Sequence, residues 1–374
     1  MSTLNDADLV VLSHLRWDWV WQRPQHLISR IGRGRRTWFV EEPRPSDVTE
    51  PTVRMVETDG LTRIWIDTPA AEENDEFGHG GVHLYLPFLT EFFRDSTCDV
   101  WLYAPTAIPL AEGLQPRVLV YDVMDDLASF ADAPPEMTLR MRRALTIADV
   151  AFAGGRSLHR SAASVRGTAA THLFPSGVEC DHYAASRRLR HPHDRPVAGY
   201  VGVIDERLDL ELIRSLAEQL PDWDIHMVGP TAKIDPATLP VADNISYLGM
   251  QTYDQLPAVM AEFDVALMPF AMNDATRSIS PTKTLEYLAA GLPVVSTRVP
   301  DVVADWSEVV HLADTAAEFA DACRHVSKHS LEQRDRLVAP LRRKHEWDTI
   351  AAGMLEILDA TVMSKRQLVA SESA

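Results

Sequence analysis

The sequence predicts an α/β protein with two consecutive units, each built on a mostly parallel sheet. Short apolar runs bounded by polar loops alternate with helical segments along most of the chain, which is the pattern of strand–helix–strand units. The alternation stops near residue 184 and restarts at residue 197. With 374 residues the chain is also too long for one compact core, and its length fits two domains of ordinary size.

The first unit begins with the apolar run from Leu9 to Ser13, which predicts the first parallel strand. The segments after it are assigned by the same apolar and helical periodicities. Strands are predicted at 9–13, 37–41, 53–57, 61–66, 82–85, 100–103, 118–121 and 150–153, helices at 24–31 and 136–148, and an acidic, glycine-rich loop at 74–81.

The second unit follows a basic segment with two prolines and no periodicity, which is typical of an interdomain linker. Strands are then predicted at 197–203, 224–228, 245–248, 265–269 and 309–312, and helices at 208–220, 253–263, 315–329 and 347–362. The predicted division of the chain is a first domain at 1–183, a linker at 184–196, a second domain at 197–345, a C-terminal helix at 346–363 and a disordered tail at 364–374.

Composition excludes several classes of function. The formal net charge of −18 argues against bulk attraction to nucleic acid or anionic lipid. The chain has no run of about 18 apolar residues and no apparent export signal, so we expect a cytoplasmic protein with at most weak peripheral association with membranes. Its three widely spaced cysteines suit reduced thiols.

The most informative stretch runs from Ser280 to Ser296 and predicts a capped helix that leads through a glycine into a buried strand. Ser280 is a good N-cap, and Pro281 suits the first helical position. The N–H groups of Thr282, Lys283 and Thr284 would then be free at the start of the helix. Together with the Lys283 ammonium and the helix dipole, they form a predicted anion site.

Glu286 lies about one turn beyond this helix start, roughly 5–6 Å along the axis. A carboxylate accepts hydrogen bonds, so it suits a vicinal diol rather than a phosphate. A phosphate at the helix start and a diol beside its first turn describe a nucleotide diphosphate with its ribose. The alternative is structural, because any helix-to-strand connection can contain Pro, Lys, Glu and a C-terminal Gly.

The whole pattern, with Glu286 followed by Ala289-Ala290-Gly291-Leu292-Pro293-Val294-Val295, resembles the donor-site helix of retaining GT-B glycosyltransferases, the family-4-like or group 1 enzymes. The resemblance implies two facing Rossmann-like domains and a last helix that packs on the first domain. It also implies transfer of a sugar from a nucleotide-diphosphate donor, with UDP the commonest, and with retention at the anomeric carbon. Neither a cofactor nor a metal is expected. Many members carry an acidic residue where this chain has Ser278.

The second domain opens with a strand that ends in Gly202, where a ligand can approach the backbone closely. In the resembling enzymes a cation a few residues later contacts the donor diphosphate, and Arg207 has the matching place here. Its planar guanidinium can donate two hydrogen bonds to a phosphate. Arg207 and Lys283 are therefore the predicted catalytic cations, which neutralise the leaving diphosphate. The alternative is an exposed Arg207 that pairs with Asp205 or Glu206.

A tryptophan-rich segment, Trp17-Asp18-Trp19-Val20-Trp21-Gln22-Arg23-Pro24-Gln25-His26, follows the first strand. It resembles the corresponding segment of a subgroup of bacterial glycosyltransferases that act on surface glycans. Aromatic faces pack on sugar C–H surfaces, while charged groups meet hydroxyls. We therefore predict that Arg16, Trp17, Asp18 and Arg23 bind the acceptor. The competing interpretation is helix capping and core packing.

The acidic run Asp122, Asp125 and Asp126 follows a strand of the first domain. A carboxylate there could orient the acceptor hydroxyl or act as a base, and Asp125 is the predicted catalytic residue because of its spacing from the strand end. The alternative is an N-cap with an acidic first turn for the next segment.

Two apparent metal motifs are interpreted as chance. Asp222-Trp223-Asp224 starts a strand at a helix–strand junction, and His191-Pro192-His193 lacks further ligands at a suitable spacing in the sequence. Two other classes of function stay open beside sugar transfer. One is a nucleotide-sugar epimerase or a phosphorylase on the same fold, and the other is a non-catalytic carbohydrate-binding subunit.

Overall fold

The structure, a computed structural model, describes residues 3–70, 77–130, 132–327 and 344–372. Within these residues the first half forms a sheet of nine strands. The strands are β1 (Asp8–Ser13), β2 (Thr37–Glu41), β3 (Arg44–Ser46), β4 (Thr52–Thr58), β5 (Leu61–Pro69), β6 (Cys98–Leu102), β7 (Leu119–Val123), β8 (Val150–Ala153) and β9 (Thr171–Leu173). The α-helices are α1 (Arg23–Ile31), α2 (Val82–Phe92), α3 (Ile108–Gly113), α4 (Met137–Ile147), α5 (Arg156–Arg166), α6 (Cys180–Ala184) and α7 (Ser186–Leu189).

The second half forms a six-stranded sheet among the described residues, again with helices between the strands. Its strands are β10 (Val197–Val201), β11 (Asp224–Val228), β12 (Ile245–Gly249), β13 (Val265–Met268), β14 (Val294–Ser296) and β15 (Val310–Leu312). Its helices are α8 (Leu210–Gln219), α9 (Leu256–Ala261), α10 (Asp274–Arg277), α11 (Thr282–Ala289), α12 (Pro300–Trp306) and α13 (Ala316–Val326), and α14 (Trp347–Glu372) ends the chain.

Strand order confirms the predicted α/β class. The first sheet runs β3-β5-β2-β1-β6-β7-β8-β9 with β4 paired to β5, and the second runs β12-β11-β10-β13-β14-β15. Neighbouring strands in the described chain run parallel, apart from the antiparallel pair β4 and β5. Two mostly parallel sheets with helices between their strands give the predicted GT-B architecture.

Alternate residues of β1 serve different parts of the core. Val10 and Leu12 belong to one buried cluster of the first half, and Leu9 and Val11 belong to another. This is the two-residue period expected of a strand that is buried on both faces. The central position of β1 brings the loop that follows it to the middle of the carboxyl edge of the sheet.

The C-terminal helix α14 packs against the first half of the chain. Trp347, Met354 and Leu358 share a buried cluster with Leu27 of α1. Near its end, Lys365 Nζ lies 2.8 Å from Asp149 Oδ2. No α-helix among the described residues has the length and apolarity needed to cross a bilayer.

Three predictions of local structure were wrong. Residues 82–85 were assigned to a strand but begin α2, because Tyr85, Leu89 and Phe93 recur every four residues and are all buried. Of the loop predicted at 74–81, residues 77–81 form a π-turn, while 74–76 lie outside the described residues. The tail that was predicted to be disordered continues α14 as far as Glu372.

The segment predicted as an irregular linker is partly helical. Ser186 and Arg187 begin α7, and they donate hydrogen bonds of 3.1 Å to the carbonyl oxygens of Ala290 and Ala289, at the end of α11. The start of the segment is thus anchored to the second half of the chain. The domain boundaries themselves stay a prediction.

Candidate functional site

One cleft between the two halves collects most of the predicted site residues. It is lined by loops at the carboxyl ends of β1, β7, β10 and β13, which is where open α/β sheets bind ligands. The predicted residues that line it are Arg23, Asp125, Gly202, Arg207, Ser280, Pro281, Thr282, Lys283 and Glu286.

Direct contacts between the two halves hold the cleft together. Ser157, in the first turn of α5, donates to Asp301 of α12 with a distance of 2.7 Å between Ser157 Oγ and Asp301 Oδ1. A Cβ atom on Gly155 would lie 2.6 Å from the Cβ of Ser280, so only glycine allows this approach. These contacts place the residues before α11 against the first half.

The helix α11 begins one residue later than predicted. Pro281 is the N-cap, with φ −66° and ψ 113°, and Ser280 lies outside the helix, so the predicted cap at Ser280 was wrong. The N–H of Thr284 donates to the Pro281 carbonyl at 3.2 Å. Among the hydrogen bonds of the described residues, the N–H groups of Thr282 and Lys283 have no acceptor, so they can still contribute to an anion site.

Lys283 and Glu286 neutralise each other across a short ion pair. Lys283 Nζ lies 2.7 Å from Glu286 Oε2, and both side chains are largely buried. A diphosphate that attracts Lys283 would release this carboxylate to accept hydrogen bonds from hydroxyl groups. The pair therefore brings the predicted phosphate and ribose ligands together at the first turn of α11.

Arg207 combines the two interpretations that the sequence allowed. Its Nε and Nη2 atoms donate to the Asp205 carboxylate at 2.6–3.0 Å, so Arg207 does pair with Asp205. Arg207 also lines the cleft, and Nη1 makes no hydrogen bond among the described residues. Asp205 thus fixes the guanidinium plane and leaves a donor for an incoming phosphate.

The turn at Gly202 requires glycine at two places. A Cβ atom on Gly202 would lie 2.6 Å from the Tyr200 hydroxyl oxygen. Gly229, at the end of β11, has a φ of +139°, and its Cβ would lie 1.9 Å from the Gly202 carbonyl oxygen. At the carboxyl ends of β10 and β11 the chain therefore has glycines without side chains, so a ligand in the cleft can approach the backbone there.

Asp125 lies on the first-half wall of the cleft and faces Arg207 and Lys233 of the second half. Burial raises the pKa of the Asp125 carboxyl, while the charges of Arg207 and Lys233 oppose that rise. The Phe130 ring lies nearby, 5.8 Å from Arg207 Cζ and 4.6 Å from Lys233 Nζ. The arrangement gives the cleft one carboxylate with perturbed protonation beside two cations.

Three predicted acceptor ligands do not line the cleft. Trp17 is 3% exposed, its ring packs 5.0 Å from that of Phe39, and its backbone N–H donates to Glu41 Oε1 at 3.0 Å. Arg16 donates to the carbonyl oxygens of Glu42 and Pro43. The competing interpretation, core packing, therefore describes this part of the segment.

Asp18 has a similarly structural environment. Its carboxylate lies 2.9 Å from Arg63 and 3.2 Å from Arg44. Both arginines also pair with the buried Glu41 at the end of β2. Asp18 therefore belongs to an ion network that fixes the loop after β1, and the prediction that it binds an acceptor is not supported.

Arg23 lines the cleft, but all three nitrogens of its guanidinium donate hydrogen bonds within the protein. Its Nε and Nη2 atoms hold the Asp122 carboxylate at 2.8–3.1 Å, and Nη1 donates to the Phe174 carbonyl at 2.8 Å. Both side chains of the ion pair are buried. Arg23 thus forms the floor of the cleft.

Trp21 is the main cleft residue that the sequence interpretation missed. It lines both the cleft and an adjoining apolar slot with Tyr253, Met250 and Leu256 of the second half. Its indole N–H donates to His26 Nδ1 at 3.2 Å. The segment carries tryptophans at 17, 19 and 21, and alternation alone could not tell which of them faces the cleft.

His14, just after β1, predicts a pH dependence of stability. Burial and the nearby Lys233 ammonium lower the pKa of His14 from 6.5 to about 4. Between these values the unfolded state binds more protons, so stability falls as the pH falls. We expect His14→Gln to remove up to about 3 kcal/mol of the stability loss between pH 7 and pH 4. Urea denaturation at both pH values measures this, and an unchanged loss in the variant would contradict it.

Potential metal ligands lie elsewhere. Among the described residues, the candidate metal-ligand group consists of His191, His193 and Glu262, and none of the three lines the cleft.

Comparisons with known proteins agree with this geometry. Residues 195–329 match the family described as "Glycosyl transferases group 1". A Bacillus subtilis (strain 168) protein named as a glycosyltransferase of teichuronic acid biosynthesis, TuaH, is 27% identical over 191 residues, which cover 48% of each chain. The match thus spans about half the length of that relative.

Solved structures extend the likeness over nearly the whole fold. Sucrose-phosphate synthase from Thermosynechococcus elongatus superposes with a TM-score of 0.70 at 16% identity, covering 98% of this chain and 100% of that one. Anabaena Alr3699/HepE in complex with UDP-glucose superposes with a TM-score of 0.68 at 13% identity, covering 94% and 99%. An α,α-trehalose-phosphate synthase (UDP-forming) from Burkholderia xenovorans, in complex with glucose-6-phosphate, gives 0.70 at 12% identity, covering 94% and 99%.

At these identities the structural likeness establishes the fold alone. The chain therefore has the GT-B fold, and residues 195–329 are similar to the glycosyl transferases group 1 family.

Proposed function

We propose that this chain is a glycosyltransferase that moves a sugar, by preference a hexose, from a UDP-sugar to an acceptor hydroxyl. The observation that carries the proposal is the convergence of Lys283, Arg207 and the start of α11 on one cleft, with Glu286 one turn further along the helix. Anabaena Alr3699/HepE, which has the same fold, has been solved in complex with UDP and glucose and with UDP-glucose. These complexes support UDP as the proposed nucleotide of the donor.

Donor binding begins with the exchange of one ion pair for another. The diphosphate accepts hydrogen bonds from the Thr282 and Lys283 N–H groups and from Arg207 Nη1. Lys283 turns from Glu286 to the phosphate, and Glu286 then accepts hydrogen bonds from the ribose hydroxyls. These contacts use the Lys283 and Glu286 charges that now pair with each other, and the Arg207 Nη1 donor that Asp205 does not occupy.

Charge on the leaving diphosphate is the main quantity that the site must stabilise. Arg207, Lys283 and the dipole of α11 supply fixed positive charge where it develops, so the reaction proceeds without a divalent cation in this proposal. The likeness to group 1 enzymes supports retention at the anomeric carbon. The acceptor enters from the first half, where Asp125 orients its hydroxyl and takes its proton.

The test is turnover of nucleotide sugars by the purified chain. UDP-glucose and other UDP-, GDP-, ADP- and dTDP-sugars are offered with and without oligosaccharide acceptors, and release of the nucleotide diphosphate is followed. We expect release from a UDP-sugar by the wild type and its loss in Glu286→Ala. No turnover of any nucleotide sugar would favour the non-catalytic carbohydrate-binding alternative, and full activity of Glu286→Ala would remove Glu286 from the site.

Asp125 gives the proposed reaction a characteristic pH profile. Because the base must be ionised and burial raises its pKa above 3.8, we expect kcat to fall as the pH decreases through that raised value. Asp125→Asn should lower kcat by about 10²–10⁴-fold and abolish this acidic limb. Asp126→Asn is the matched control: Asp126 accepts a hydrogen bond from Ser129, and its charge only adds to the rise in the Asp125 pKa, so this variant should keep the acidic limb and move it to lower pH. An unchanged profile in Asp125→Asn would assign the base elsewhere.

A further inference from the structure

Two histidines of the segment before β10 lie against one carboxylate of the second half. His191 Nε2 is 3.0 Å from Glu262 Oε1, and His193 Nδ1 is 3.6 Å from Glu262 Oε2. The three potential ligand atoms all lie within 4.8 Å of one another. The sequence predicted no further ligand for His191 and His193, because Glu262 is distant along the chain.

Local geometry explains why these side chains meet. Residues 191–193 have no regular structure, and the His191 and His193 rings contact each other, with centroids 4.8 Å apart. The two imidazoles therefore lie together on one side of this segment, with Pro192 between them in the sequence. Glu262 is the C-cap of α9, and α7 packs against α9 just before the two histidines.

The spacing suits a tetrahedral zinc ion. Bonds of about 2.0–2.2 Å to histidine nitrogen and carboxylate oxygen place tetrahedral ligand atoms roughly 3.3–3.5 Å apart. The two His–Glu distances, 3.0 Å to Oε1 and 3.6 Å to Oε2, are close to this value, although each histidine lies nearest a different carboxylate oxygen. Since the three ligand atoms lie within 4.8 Å of one another, no pair has to approach by more than about 1.5 Å, which rotation of the exposed His191 side chain and of the Glu262 side chain can supply.

The donor set also selects the metal. Two neutral imidazoles and one carboxylate favour zinc and its neighbours over magnesium or calcium, which prefer all-oxygen sites. The site carries one negative charge when the imidazoles are neutral. His226 is close enough to Glu262 and His193 to sense their charges, so a further imidazole lies in the surroundings.

We propose that His191, His193 and Glu262 form a zinc site that pins the segment between the two sheets to α9. Three protein ligands leave a fourth position for water. The site does not line the cleft, so its role is to fix the connection between the two halves. The alternative is a simple His–Glu ion pair that binds no metal.

Calorimetric titration of the tag-free, EDTA-treated chain with zinc chloride tests the proposal. The wild type should take up one equivalent. Glu262→Gln and the double variant His191→Ala/His193→Ala should each weaken that binding by at least about tenfold. His311→Ala/His325→Ala is the matched control, because it removes another close histidine pair, with ring centroids 6.1 Å apart, and should leave the binding unchanged.

Limited trypsin digestion provides a second readout. Arg187, Arg188 and Arg190 lie next to the pinned segment, so zinc should slow cleavage there in the wild type and not in Glu262→Gln. Glu262 is 40% exposed, and its substitution is not expected to unfold the chain. Failure of the wild type to bind one equivalent, or equal affinity of Glu262→Gln, would leave only the ion pair and overturn the proposal.

Discussion

Replacing Lys283 with alanine is expected to lower kcat/KM for the UDP-sugar donor by about 10²–10³-fold. The variant loses the cation in the first turn of α11, and with it the ion-pair partner of Glu286. Initial rates of UDP release over a range of donor concentrations measure the effect. Lys365→Ala is the matched control. Lys365 lies on the C-terminal helix α14 and pairs with Asp149 just before β8, so this variant should have an unchanged kcat/KM.

A second arm separates catalysis from folding. Lys283→Ala leaves a largely buried carboxylate without its ion-pair partner, so the melting temperature of the variant has to be compared with that of the wild type. A folded Lys283→Ala protein with wild-type kcat/KM would contradict the role of Lys283 in neutralising the diphosphate.

Replacing Arg23 with alanine is expected to lower the free energy of unfolding by about 3–5 kcal/mol. The Asp122 carboxylate would stay buried without its cation, and the Phe174 carbonyl would lose a donor. Urea denaturation measures the change. In contrast, Arg94→Ala removes an exposed ion pair with Glu91 and should cost at most about 1 kcal/mol.

The double variant Arg23→Met/Asp122→Leu tests the cause of this loss. Removing both charges avoids the unpaired buried carboxylate, so the double variant should be more stable than Arg23→Ala alone. A loss below about 1 kcal/mol in Arg23→Ala would mean that the ion pair contributes little to the fold, and it would reopen Arg23 as a candidate ligand of the acceptor.

The grouping of the predicted donor residues in one cleft could be predicted because these residues are close in sequence. A helix start, the cation Lys283 and the carboxylate Glu286 lie within about one turn, and this spacing suits a phosphate beside a diol. The same locality made most strands of both sheets recognisable from apolar runs, although the three-residue strands β3 and β9 were not predicted. It failed at residues 82–85, where a short apolar run is compatible with either a strand or a helix and the longer four-residue period decides for α2.

The positions of the predicted acceptor residues could not be derived from the sequence. Whether each side chain is buried or faces the cleft depends on contacts with residues that are distant along the chain. Trp17 is drawn into the core by Phe39 and Glu41, while Trp21 is left at the cleft, opposite Tyr253. The sequence suggested that Arg23 could bind a ligand, but its guanidinium donates hydrogen bonds to Asp122 on β7. The residues that determine these contacts lie on other strands, so the local sequence pattern cannot predict them.

The most direct test of the account is a crystal structure of the chain with bound UDP. We predict the diphosphate within hydrogen-bonding distance of Lys283 Nζ and Arg207, and the ribose hydroxyls on Glu286. The Lys283–Glu286 contact of 2.7 Å should be opened by the ligand. UDP bound away from α11, or UDP in the cleft with the Lys283–Glu286 pair intact, would contradict the assignment of this helix as the donor site.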